Sequence, residues 1–436
     1  MNTPNIPEIR LVPLPNAKSP RRGLWFIPIF GLILGGVLFI NLWTYDRPNE
    51  PPRLLGSVWT AKVTGQPRLY YVMEEERYQR RVPSYAQRQN WFTVSYALFT
   101  LHARDAHNGT RANTTELARI DNAVSGQGPE ILGPQGNVLW LWNGNLEGRK
   151  LDTLESLWTA TKLTELNPDL AAVLPTDRQY YKVLGKLNAL VFKGKDARYF
   201  QIDSATGKIQ PLDDVTLGRH FHTKKADDTF TYLFPESDSL WSTSISGLMW
   251  NSLTVGDTWY ALLSADERAN LVDSPGNGNA PWGESARSLY RVTFQWEYRK
   301  LLGTNEIKLN PAAVTAVNAE RFLMGGFLRR PNTEGLWTVD GGKSYLVLHR
   351  RELGDSSPWY VTRLGLDGTI HWTHCTGLAD PQHLCDGQGT VIFTGFAASS
   401  QPTRKRPDLF VFIDELSGQT RMLNLVNNEI TTAQFP

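Results

Sequence analysis

The stretch "YFQIDSATGKI", residues 199–209, sets an aromatic run against a turn and then starts a fresh apolar run. Aspartate followed four residues later by glycine suits a tight hairpin: the aspartate caps the turn through backbone N–H groups, and glycine supplies the positive φ where the next strand begins. "RDAHNG", with Asp105 and Gly109, and "IDELSG", with Asp414 and Gly418, repeat the pattern of Asp203 and Gly207. "LDTLES" at Asp152 and "LDGTIHW" at Asp367 and Gly368 are degraded or shortened forms. All of these are read as structural turn residues.

Around the turns lie short runs rich in aromatic and β-branched residues, among them "RLYYVME" (68–74), "YALFTLHAR" (96–104), "VLWLW" (138–142), "TFTYLF" (229–234), "LYRVTFQW" (289–296) and "LFVFID" (409–414). This is an all-β pattern. The aspartates at 105, 152, 203, 367 and 414 fall about 50 residues apart, or a multiple of that, which is the length of a four-stranded propeller blade. The expected fold is a β-propeller over residues 54–436, with seven blades if there are insertions and eight without them. Two segments favour seven by resembling short helical insertions: "SADERANLVD" (264–273), with Ser264 and Glu267 spaced as a capping box, and "NPDLAAVLP" (167–175), with Pro168 at a first turn. A pair of β-sandwiches is the competing architecture.

Asp203, Thr206, Gly207 and Lys208, together with Asp367, Gly368 and Trp372, resemble the blade turns of β-propellers of the pyrroloquinoline-quinone-like type, whose repeats run Asp-x-x-Thr-Gly-Lys and then Trp. The resemblance covers scattered turns and implies the fold. A quinone-binding member is expected to have adjacent cysteines and complete tryptophan motifs. Here the cysteines are not adjacent, so no cofactor is expected.

The amino terminus carries a different signal. "GLWFIPIFGLILGGVLFINLW" (23–43) holds no ionisable side chain and, as a helix, reaches about 30 Å, the thickness of a hydrocarbon core. Trp25, Trp43 and Tyr45 stand at its ends as interfacial anchors. The expectation is a transmembrane helix over 23–45, a disordered cytoplasmic tail over 1–22 and a linker over 46–53. Arg10, Lys18, Arg21 and Arg22 precede the span, so the amino terminus stays cytoplasmic and the bulk of the chain is periplasmic or extracellular, anchored in the inner membrane by a single pass. The span followed by such a domain is similar to single-span bacterial envelope proteins. Gly31 and Gly35 share one helix face and are candidates for helix dimerisation, giving a homodimer.

The whole chain has a formal net charge of +2, and the tail carries four basic residues against Glu8. The exported domain is therefore near neutral, which excludes nucleic acid as a partner.

"HWTHCTGLADPQHLC" (371–385) holds His371, His374, His383 and both cysteines. In an oxidising compartment, Cys375 and Cys385 are expected to form a disulfide, with two free or buried cysteines as the alternative. A metal site is disfavoured because His371 and His374 point to opposite faces of a strand. His220 and His222 share a face, but no third ligand is identifiable. No phosphate loop or nucleophile elbow occurs, and the acidic pairs at 213–214 and 227–228 sit among polar residues. No catalytic, cofactor-binding or metal residue is assigned. The expected function is a membrane-anchored, non-catalytic binding or scaffold module for another envelope protein or a glycan. The alternative is a propeller hydrolase acting on a saccharide or ester at the axial mouth.

Overall fold

The computed structural model describes residues 51–83, 91–121, 128–184, 187–213, 249–269, 285–301, 304–331, 335–398 and 409–432. The expected tail, span, the linker up to 50, Gly31 and Gly35, the run at 229–234, His220 and His222 lie outside them. Among the described residues, no helix is long and apolar enough to cross a membrane.

These residues are mostly β, in several antiparallel sheets, none closed on itself. The first sheet holds β1 (Arg53–Val63), β2 (Gln66–Pro83), β3 (Trp91–Asp105) and β4 (Arg111–Asp121). The second holds β5 (Glu130–Gln135), β6 (Val138–Trp142), β7 (Leu146–Lys150) and β8 (Ser156–Thr159). The third holds β9 (Tyr181–Leu184), β10 (Ala189–Lys193), β11 (Tyr199–Ile202) and β12 (Ile209–Leu212). A ten-stranded assembly follows: β13 (Met249–Trp250), β14 (Ser252–Val255), β15 (Thr258–Leu263), β16 (Ala286–Leu301), β17 (Thr304–Ala316), β18 (Phe322–Leu328), β19 (Thr338–Val339), β20 (Ser344–Arg350), β21 (Trp359–Gly365) and β22 (Ile370–Cys375). It divides into a fourth sheet, β14–β17, and a fifth, β18 with β20–β22, joined where Ala286 and Arg287 pair with Leu323 and Phe322. The sixth sheet holds β23 (Leu378–Asp386), β24 (Thr390–Ala397), β25 (Leu409–Asp414), β26 (Thr420–Asn424) and β27 (Ile430–Thr432).

The apolar runs are continuous because neighbouring sheets cover both faces. In β6, Val138 and Trp140 pack on the third sheet, whereas Leu139 and Leu141 pack on the first. In β25, Leu409, Val411 and Ile413 face the fifth sheet, and Phe410 and Phe412 face the first. Successive side chains alternate faces, so one strand serves two cores. Each fully buried Phe or Leu contributes about 1.5–3 kcal/mol. The first sheet thus packs on both the second and the sixth, and β1 lies against β5 and β23.

The aspartate turns join the third strand of a sheet to its fourth. Asp203 Oδ1 accepts the N–H groups of Ala205 (2.8 Å) and Thr206 (3.0 Å), and Gly207 N donates to the Asp203 carbonyl at 2.8 Å. Asp105 holds His107, Asn108 and Gly109, and Asp414 holds Leu416, Ser417 and Gly418, in the same way. Gly109, Gly207, Gly368 and Gly418 all have positive φ. Each turn docks on another sheet. A Cβ on Gly207 would stand 2.8 Å from Trp158 of β8, and one on Gly418 would stand 2.6 Å from His374 and 2.7 Å from Trp372 of β22. The same indoles donate to the turns, Trp158 to Ser204 O at 2.8 Å and Trp372 to Leu416 O at 3.1 Å. Gly109 lies against Phe412, so the first sheet docks on the sixth.

The insertions differ in detail from expectation. Ser264 N donates to Glu267 Oε2 at 2.7 Å and Glu267 N to Ser264 Oγ at 3.2 Å, a capping box opening a helix over Ala265–Ala269. Pro168–Val173 is a 3-10 helix, preceded by an α-helix over Ala160–Leu166 that the sequence reading did not anticipate. Buried Asn167 ties this pair to the third sheet, donating to Gly207 O at 2.9 Å and accepting from Ile209 N at 2.9 Å.

Replacing Gly256, whose φ is also positive but whose Cβ position is open, with Ala should cost about 1–2 kcal/mol. Gly207→Ala adds overpacking against Trp158 and should cost about 1–3 kcal/mol more, read as the difference in urea midpoints. Equal losses would show that the docking contributes nothing.

Burial holds His102 and His349 down at about 4, helped at His102 by Arg104 and Arg111 and opposed at His349 by the Arg350 carbonyl. An unfolded histidine takes its proton near pH 6.5. Stability from these groups is therefore complete above pH 6.5 and lost as pH falls towards 4. Urea midpoints should drop over that window, and His102→Phe, which keeps a ring stacked on Tyr71, should flatten the slope.

Candidate functional site

A cleft of about 570 Å³ opens between the fifth and sixth sheets. It lies at the end of those sheets remote from the turns at Asp367 and Asp414: Tyr360 and Cys375 are partners at the far end of β21 and β22, and Leu409 and Asn424 at that of β25 and β26. Pro358, Ala397, Leu409 and Met422 give it apolar walls. Asn424, Asn427, Glu429 and Thr431 bring polar groups to one side.

That polar side is built by a turn which repeats the aspartate turns with other residues. Asn424 Oδ1 accepts from Val426 N at 2.8 Å, Asn428 N donates to Asn424 O at 2.9 Å, and Asn428 takes the positive φ that glycine takes elsewhere. Asparagine both caps a turn and tolerates the left-handed region. The spacing in "NLVNN" (424–428) is that of Asp203 to Gly207, and a search admitting asparagine at both ends finds it. Asn427 Nδ2 donates to Glu429 Oε2 at 2.6 Å, and Asn428 Oδ1 accepts from buried Arg104 of the first sheet. Arg104 also donates to Tyr71 Oη at 2.6 Å and to Gly109 O at 2.8 Å. A buried guanidinium with three fixed acceptors holds the turn rigidly.

Cys375 borders the cleft, where burial pushes its thiol up; the N–H of Gly377, 3.4 Å from Sγ, and the Tyr360 hydroxyl pull it down by less. The thiol is protonated at neutral pH and is not an activated nucleophile. Cys385 lies in the core between the sixth and first sheets, with Sγ 3.8 Å from Val58 O, and burial pushes its thiol up as well. This corrects the expected disulfide. Both cysteines are free: Cys375, on β22 of the fifth sheet, borders the cleft between the fifth and sixth sheets, whereas Cys385, on β23, is buried in the core between the sixth and the first.

The other expected residues do not join this site. Asp105, Gly109, Asp203, Gly207, Asp367, Gly368, Asp414 and Gly418 are held in their turns. His371 is exposed, His374 packs beside Trp372, and His383 is kept neutral by burial. Among the described residues, no three His, Cys, Asp or Glu side chains gather as a metal site would require. Carboxylates near the ends at which β1, β5 and β23 begin are engaged: Glu74 with Arg53, Glu130 with Arg178, and Asp380 with Gln382 at 2.6 Å.

No protein-family profile matches the sequence, and no curated protein matches it. Among solved structures, similarity is found to a chain of the S. cerevisiae complex of dbp5 with nup159, gle1, IP6 and ADP (9% identity, 78% of this chain and 75% of that one, TM-score 0.17). It is also found to a protein from Bacteroides fragilis described as a putative 6-phosphogluconolactonase (11% identity, 88% and 94%, TM-score 0.23). A DUF4784 family protein from Bacteroides caccae follows (9% identity, 88% and 95%, TM-score 0.12). At these values the similarity decides neither fold nor activity.

Purified protein unfolded without reductant should show two titratable thiols and unchanged mobility on adding reductant. Folded, Cys375 should react with a small neutral reagent before Cys385 does. Finding no titratable thiol would restore the bridge.

Proposed function

We propose that this chain is a membrane-anchored β-propeller acting as a non-catalytic binding module for another envelope protein or a glycan, with the cleft between the fifth and sixth sheets as its contact site. The propeller reading is supported by the order of packing. The first sheet touches the second and the sixth, the second touches the third, and the fifth touches the fourth and the sixth. Turns dock from the third sheet on the second, from the sixth on the fifth and from the first on the sixth. Six sheets are described; the seven expected from the spacing would require one more, outside the described residues.

The observation that carries the binding reading is the chemistry of the cleft: apolar walls beside a rigid amide-rich turn, with a thiol kept protonated. Such a site offers area and hydrogen bonds without an activated group. A hydrolase acting on a saccharide uses a pair of carboxyl groups. Among the described residues, Glu429 is the single carboxylate lining the cleft, and it is bonded to Asn427.

A photo-crosslinking residue at Thr431 in the full chain should capture a defined partner in cells, or the purified chain should retain specific members of a glycan array. Met422→Arg should abolish either, and the same crosslinker at exposed Ala205 should capture nothing. Absence of any partner together with turnover of generic saccharide or ester substrates would reverse the assignment.

A further inference from the structure

The first sheet is uneven in length. β1 begins its pairing with Arg53 opposite Glu74, and β4 ends opposite Tyr96. β2 and β3 nevertheless go on pairing with each other, from Tyr78 with Ser95 to Pro83 with Trp91. Among the described residues, no further strand of the sheet flanks the ribbon in this stretch. At about 3.3 Å per residue, the run from Glu75 to Pro83 reaches roughly 30 Å beyond the level of Arg53. β1 runs the other way, so the ribbon projects from the end at which the chain enters the sheet.

A two-stranded ribbon is marginal in water on its own and gains stability from a surface. The strand residues 78–83 and 91–95 contain Arg80 and Arg81, no carboxylate, and Tyr78, Trp91 and Phe92. Rings with an apolar body, beside arginines, are what the headgroup zone of a bilayer takes. Tether length adds an independent constraint. On the membrane-anchor reading, on which this inference rests, residues 46–52 are all that separate the span from β1. Fully extended, they reach about 25 Å, no further than the ribbon projects.

We propose that the ribbon is a foot that rests on the anionic headgroups of the bilayer in which the chain's own span sits, and so fixes which way the domain faces. Two arginines give weak attraction by themselves. The tether makes the contact intramolecular, and a high effective concentration lets a weak contact hold.

The test uses the full chain in nanodiscs of phosphatidylcholine with or without phosphatidylglycerol. Thr93→Cys carries a fluorophore, lipids spin-labelled at headgroup depth act as quenchers, and Ala205→Cys, on the Asp203 turn, is the control. Quenching is expected at position 93 and not at 205, in discs with phosphatidylglycerol, and is expected to be lost in its absence or in R80E/R81E. R80K/R81K, which keeps the charge, should retain it and so separates charge from misfolding. Equal quenching at both positions, none at position 93, or no dependence on phosphatidylglycerol overturns the proposal. Alkaline carbonate examines the anchor separately: release of the chain overturns the anchor and the foot together, whereas retention with position 93 unquenched overturns the foot alone.

Discussion

The fold depends on a close approach. A hairpin turn of one sheet is pressed against an aromatic ring of another, at a distance that leaves no room for a Cβ. Two requirements meet at one residue, because Gly207 and Gly418 have a positive φ and also lie against an indole. The indole N–H then donates to a carbonyl of the same turn. The aspartate keeps the turn in shape before it docks, so the contact joins two preformed surfaces and the loss of backbone freedom is confined to the hairpin itself. Without it, each four-stranded sheet would keep a large apolar face with nothing to set its distance from the next.

Buried polar groups add specificity where apolar packing alone would permit sliding. Arg104, between the first and sixth sheets, meets three acceptors from separate segments. Arg287 is buried and grips Glu267 with Nε at 2.9 Å and Nη2 at 3.0 Å. It also donates to Gly325 O at 3.2 Å, linking the fourth and fifth sheets. Burial pushes the Glu267 carboxyl up, but Arg287 and the N–H of Ser264 outweigh it and hold it low. Removing one partner of such a pair leaves an uncompensated charge, commonly a loss of about 3–5 kcal/mol.

Much of this was legible in the sequence. The Asp-to-Gly spacing located three hairpins and its degraded or shortened forms two more, and the runs rich in aromatic and β-branched residues signalled strands. Ser264 with Glu267 located a helix start. The disulfide was misread because spacing says how far a chain can return, whereas bridging also needs both side chains on one side of a sheet, and residues 375 and 385 straddle the sixth. The ribbons were missed for another reason. Runs expected at 68–74 and 96–104 extend to Gln66–Pro83 and Trp91–Asp105, and Glu75, Glu76, Arg77, Arg80 and Arg81 interrupt the apolar pattern by which a strand is recognised. The Asn424 turn escaped because asparagine replaces both aspartate and glycine. The cleft had no linear signal at all, since its walls come from six strands.

The first and sixth sheets share no strand among the described residues; the bonds that join them include the one from Arg104 to Asn428, across a sequence separation of 324 residues. Chain growth then sets a schedule. The first sheet emerges with Leu69, Tyr71 and Val58 ready to pack, and their partners are synthesised last. Until β23 to β26 are made, that apolar face lies uncovered, and contacts between segments so distant in sequence are intrinsically slow to form.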